Sequence, residues 1–179
     1  MKKTDIHLHL TFEQHPKTEH MFVSSAEHML PHLRELSIEK GILMSSGEGN
    51  SAVPFGSNDE CRQIAEAFPG IYFWMCNLDD VPENIFERLE TYKNQGAVGI
   101  GELMINRSID DPMIQEIFAA AETLSLPVLF HMSPEVGYEY GIVDDAGLPL
   151  LDDSLKKYPN LKFIFLSPPF CHETSGDSS

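Results

Sequence analysis

The sequence predicts an α/β fold in which helices cover a parallel sheet, and three observations carry that prediction. Apolar, β-branched segments alternate with helix-patterned segments along almost all of the 179 residues, a pattern that calls for right-handed crossovers between parallel strands. Polar side chains recur at the carboxyl ends of the strand candidates, at His7 and His9, Glu48, Glu102 and His131, the end at which β/α barrels carry their working groups. After the first strand stands Leu10-Thr11-Phe12-Glu13, not the glycine-rich phosphate loop of a nucleotide-binding open sheet. The expected fold is therefore a TIM-type (β/α) barrel, incomplete, with about six of eight β/α units, since a full barrel takes about 250 residues.

The first strand candidate runs from Thr4 to Leu10, where Ile6, Leu8 and Leu10 alternate with Asp5, His7 and His9. Successive side chains of a strand take opposite faces, so the aliphatic set is expected against helices and the polar set in the other compartment. A helix from Ser24 to Glu39 follows, opened by the Ser24-Ser25 pair before an acidic turn, with Gly41 just past its end. Gly41 to Ser45 reads as the second strand. Asp59 to Phe68 reads as a helix, with Asp59 near its start and Gly70 beyond its end. The third strand is expected over Ile71 to Asn77, then a helix from Pro82 to Gln95 punctuated by Gly96. Strands over Val98 to Met104, Pro127 to His131 and Leu161 to Leu166 alternate with helices over Pro112 to Leu124 and Leu148 to Tyr158.

A hydrophobic content of 42% over this length suffices for one substantial core, so a single domain is expected over residues 1–170, with a frayed tail over 171–179. No apolar run approaches membrane-spanning length, and Met-Lys-Lys-Thr-Asp leads into a short alternating strand instead of a signal peptide's apolar core. The expected location is the cytoplasm, with no membrane partner. Cys61, Cys76 and Cys171 are odd in number and irregular in spacing, which suits reduced packing residues better than a disulfide framework. The formal charge of −16 opposes binding to a nucleic acid backbone. A small-molecule substrate is the expected partner.

The most informative element is Asp5-Ile6-His7-Leu8-His9-Leu10. Imidazoles at i and i+2 of a strand lie on one face, where both can meet a single cation. With the Gly99-Ile100-Gly101-Glu102-Leu103 strand, the Leu126-Pro127-Val128-Leu129-Phe130-His131 strand and the Tyr158-Pro159-Asn160-Leu161-Lys162-Phe163-Ile164 run, it resembles the amidohydrolase superfamily, in particular its amidohydrolase-related (amidohydrolase 2) branch. The resemblance implies a distorted β/α barrel holding one or two divalent metals, usually zinc. It implies hydrolysis of amide, ester or lactone bonds; a related subset decarboxylates aromatic or unsaturated acids. By the same resemblance His7 and His9 match the first-strand ligands and His131 the fifth-strand ligand. Glu102 falls where TatD-like members place a fourth-strand ligand, and its other reading is a carboxylate that orients the histidines.

Two departures qualify the match. Leu166 stands where the family carries a sixth-strand histidine, and leucine offers no lone pair. The aspartate on the family's eighth barrel strand, which takes a proton from the attacking water, belongs to a part of the barrel beyond this sequence, so no catalytic base is assigned. His172 and Glu173 are candidate substitutes on the tail. The alternative to an enzyme is thus an inactive barrel fragment that binds metal or self-associates through its open sheet edges. Loops over Ser45 to Asn58 and Met132 to Gly147 are expected to shape the pocket, with Phe12, Phe55 and Tyr138 as substrate-binding candidates.

Overall fold

The computed structural model describes residues 2–16, 22–50 and 56–165. Strands and helices alternate in the order β1 (Lys3–Leu8), α1 (Ala26–Glu35), β2 (Ile38–Met44), α2 (Asn58–Ala67), β3 (Tyr72–Met75), α3 (Ile85–Asn94), β4 (Ile100–Leu103), α4 (Pro112–Leu124), β5 (Val128–Phe130), β6 (Met132–Ser133), β7 (Ile142–Val143), α5 (Pro149–Lys157) and β8 (Phe163–Phe165). β1, β2 and β3 pair in parallel, as do β4, β5 and β8. A bridge between Cys76 and Ile100 joins the two groups: the Cys76 amide donates to the Gly99 carbonyl at 3.0 Å and the Gly101 amide to the Cys76 carbonyl at 2.8 Å. The result is an incomplete β/α barrel. Among the described residues β1 pairs only with β2 and β8 only with β5, so the sheet does not close.

Local chemistry explains where the helices begin. Ser25 and Ser57 cap α1 and α2, each hydroxyl accepting from a backbone amide of the first turn, that of His28 and that of Glu60. Asp111 caps α4 by accepting from the Met113 amide at 2.9 Å, with Pro112 in the first turn where a missing N–H costs nothing. The outer core forms where α4 lies on the sheet. Phe118 meets the rings of Phe163 at 5.0 Å and Tyr158 at 6.1 Å, both edge to face. Met44, Met75 and Leu129, flanked by Ile42 and Ile164, form a second, smaller cluster.

Several boundaries differ from expectation. The first helix does not run to Glu39: it stops at Glu35, Ser37 turns the chain with a φ of 60°, and β2 begins at Ile38. Gly41 is accordingly no helix terminator but a mid-strand residue, where a Cβ would stand 2.4 Å from Leu8 Cδ1. The Leu8 side chain and the Tyr72 ring can lie over this position because it has no side chain of its own. Ile6, expected against helices, is 46% exposed. α3 starts at Ile85, after Asn84 in the left-handed region, and not at Pro82. The segment after β5, expected as loop, contains the short parallel pair β6–β7. No described helix is long and apolar enough to cross a membrane.

Candidate metal centre

His7 lies in β1 and His9 one residue beyond it, and the strand's alternation turns both toward one place at the carboxyl end of the sheet. Their rings are 4.8 Å apart, and the two Nε2 atoms are 2.8 Å apart. Asp5 steadies the approach, its Oδ1 accepting from the His7 amide at 3.0 Å. Glu102 comes from β4 and is only 6% exposed. Its Oε2 stands 3.5 Å from His7 Nε2 and 3.7 Å from His9 Nε2. One donor atom from each of the three residues lies within 4.8 Å of the other two. Two donors that share one ion at about 2.0–2.2 Å stand roughly 3–4 Å apart, so the set is spaced to take a divalent cation.

His131, just past β5, lies outside this three-donor set and meets it through Glu102, with Nδ1 3.1 Å from Oε1. The Tyr140 ring covers the imidazole at a centroid distance of 4.7 Å. Asn106 ties down the segment that carries Tyr140: its Nδ2 donates to the Gly141 carbonyl at 2.9 Å, and its Oδ1 accepts from the Gly137 amide at 2.6 Å.

The electrostatics favour ligation. Burial lowers His7 below the usual histidine range, against the opposing pull of the Glu102 charge. Burial pushes the Glu102 carboxyl up, but the hydrogen bond from His9 and the charges of His7, His131 and His9 outweigh it, and the group is held below the usual carboxylate range. Both shifts run toward the deprotonated form, the form in which each group binds a metal ion.

The other candidates are placed as follows. Glu48 is no part of this set. It is turned away to Arg88, with Nε donating at 3.0 Å and Nη2 forming a second, shorter bond, and it accepts from the Tyr92 hydroxyl at 3.0 Å. The Asp79 carboxylate completes this clamp by accepting from the amides of Glu48 and Asn50. Phe12 and Tyr138 are exposed. The Phe12 amide donates to Glu60 Oε1 at 2.7 Å, while Glu60 Oε2 accepts from the Gly56 amide at 2.6 Å, so one α2 carboxylate holds two loops. Phe55, Leu166, His172 and Glu173 lie outside the described residues. Burial pushes the Cys61 and Cys76 thiols up to about 12, which suits packing and not nucleophilic work. A cleft of about 640 Å³ lined by Leu30, Leu33, Ile38 and Ile71 opens at the amino ends of the strands, remote from the histidines. Sequence reasoning missed two buried asparagines, Asn58 and Asn77; their only signal was polarity at a helix start and at a strand exit.

The family model described as Amidohydrolase matches residues 4–166. The chain belongs to the amidohydrolase family. No curated protein matches it. Among solved structures it is similar to 5-carboxyvanillate decarboxylase from Novosphingobium aromaticivorans, complexed with manganese and 4-hydroxy-3-methoxy-5-nitrobenzoic acid. The TM-score there is 0.63 at 13% identity, over 92% of this chain and 64% of that one. It is similar to 2,6-dihydroxybenzoate decarboxylase from Rhizobium, with a TM-score of 0.61 at 16% identity, over 92% and 65%. It is also similar to a probable 2-pyrone-4,6-dicarboxylic acid hydrolase from Acinetobacter baumannii with citric acid bound, with a TM-score of 0.53 at 17% identity, over 92% and 69%. The chain spans about two thirds of the length of these structures. The amidohydrolase superfamily is metal-dependent, and the three-donor set at the sheet's carboxyl end is a site able to take an ion.

Proposed function

We propose that this amidohydrolase is a metal-dependent hydrolase of amide, ester or lactone bonds in small molecules, with His7, His9 and Glu102 holding the ion and His131 steadying Glu102. The observation that supports the reading most is the convergence of three donor atoms within 4.8 Å at the working end of a β/α barrel. Zinc is the proposed ion, because imidazole nitrogens and a carboxylate oxygen form a donor set that suits it. When bound, such an ion supplies Lewis acidity and brings the pKa of a water down toward about 7.

The chain's own residues supply the setting. Glu102 brings one negative charge to two imidazoles, which binds the cation without cancelling its charge. With Glu102 ionised, His131 donates through Nδ1–H to Glu102 Oε1, which leaves Nε2 with its lone pair facing away from the carboxylate. Tyr140 walls that ring, and the exposed Phe12 and Tyr138 offer apolar surface to a substrate, with Phe55 assigned to the same role. Decarboxylation of an unsaturated or aromatic acid is the second reading, supported by the two decarboxylases among the similar structures.

The test is elemental analysis of the purified chain beside His7→Ala/His9→Ala, followed by assays with neutral ester and lactone probes and with aromatic acids. Metal in the wild type that is lost in the double variant, with turnover of the neutral probes, supports the hydrolase. Turnover of the acids alone moves the assignment to decarboxylation. Equal metal content in both proteins removes the proposed centre, and bound metal without turnover of any probe leaves a metal-binding barrel fragment.

A further inference from the structure

We propose that Asn77 is a positioning residue for the metal centre, fixing the main chain of Glu102 so that its carboxylate meets His7 and His9; the inference rests on the metal-dependent reading above. β3 ends at Met75, and beyond it the flanking strands close on one another: the Ser45 amide, at the exit of β2, donates to the Gly101 carbonyl of β4 at 3.1 Å. The Asn77 carboxamide occupies the gap left by β3. Its Nδ2 donates to the Glu102 carbonyl at 2.8 Å and to the Ser45 carbonyl at 3.3 Å, and its Oδ1 accepts from the Leu78 amide at 2.9 Å. A carboxamide offers two N–H donors and an acceptor at one position, so this side chain does the work of a missing stretch of strand.

Asn58, the first residue of α2, holds Asn77 in turn. Its Oδ1 accepts from the Asn77 amide at 2.9 Å, and its Nδ2 donates to the Asn77 carbonyl at 2.8 Å. Both asparagines are 3% exposed. Burying two amides is costly unless every polar atom is paired, and an apolar side chain would fill the same space without that cost. What an apolar side chain cannot do is hold the Glu102 carbonyl. That carbonyl belongs to the residue whose carboxylate stands 3.5 Å and 3.7 Å from the two imidazoles, so displacement there moves a donor atom of the centre.

The experiment titrates the full chain with Co²⁺ and reads visible absorption, which reports both affinity and the geometry around the ion. Asn77→Asp keeps size and acceptor but sets lone pairs against two carbonyls; its Co²⁺ affinity is expected to fall about 10–100-fold, with a changed band shape, the scale seen when groups behind metal ligands are removed. Asn58→Ala, which keeps the carboxamide of Asn77, is expected to weaken affinity less. Ile117→Val, a core change in α4, controls for general loss of stability and is expected to leave the spectrum unaltered. Wild-type affinity in both asparagine variants overturns the proposal, as does failure of both to fold, which makes the pair purely structural. Absence of Co²⁺ binding by the wild type, or binding retained in His7→Ala/His9→Ala, overturns the underlying metal reading instead.

Discussion

Glu102 meets His131 Nδ1 at 3.1 Å through Oε1, the oxygen other than the one that faces His7 and His9. One buried carboxylate thus serves two sides at once, and the carboxylate and the imidazole behind it should respond differently to mutation. Glu102→Gln keeps the shape and removes the charge, and is expected to weaken Mn²⁺ or Zn²⁺ binding on the order of 100-fold; His131→Ala, which removes only the group behind the carboxylate, is expected to cost roughly 10-fold. Isothermal titration of the two variants checks the ranking, and equal losses would show that His131 ligates directly.

Acid should loosen the metal-free chain. Glu102 is held below its ordinary value of 4.5, so the stability it contributes is present above that value and lost as the pH falls through the lowered one. His7 is held below 6.5, so the unfolded chain takes up its proton first and stability declines from that pH downward. Both effects run the same way. Calorimetry on the metal-free protein is expected to show a falling Tm from pH 7 to pH 4, and a shallower fall below pH 4.5 in Glu102→Gln; a Tm that rises on acidification contradicts this account.

Arg88 holds the Glu48 carboxylate and also donates to the Val81 and Glu83 carbonyls, so one guanidinium ties the loop after β2 to the start of α3. Arg88→Ala leaves a half-buried carboxylate without its cation and is expected to destabilise the fold by about 3 kcal/mol, measured by urea unfolding. Glu48→Gln, which removes the charge along with the need for a partner, is expected to cost less.

Much of this architecture was legible in the sequence because it rests on periodicity and punctuation. The alternation of strands and helices, the shared face of His7 and His9, and the placement of Glu102 and His131 at strand exits all follow from side-chain direction. What escaped was decided by tertiary contact. Gly41 reads as a helix stop until Leu8 and Tyr72 are seen pressing on it. Glu48 reads as a candidate working group until Arg88, forty residues away in sequence, claims it. Asn77 carries no motif, since its purpose is to fill a gap between two strands that only the folded sheet creates.

Among the described residues β1 pairs only with β2 and β8 only with β5, and these two outer edges supply the next expectation. Rows of free amides and carbonyls on a parallel edge recruit other strands. We propose that the 179-residue chain self-associates through them. Sedimentation velocity is expected to show concentration-dependent assembly, reduced by Ile6→Lys on the exposed side of β1; a monomer at every concentration counts against the edges as interaction surfaces.

The grip of Glu60 on the amides of Phe12 and Gly56 has a consequence for redesign. Two segments, one after β1 and one before α2, are fastened to a single carboxylate, so neither can be lengthened or swapped by grafting without releasing its opposite number. Reshaping either segment therefore means rebuilding both together, with the glutamate kept as their common hinge pin.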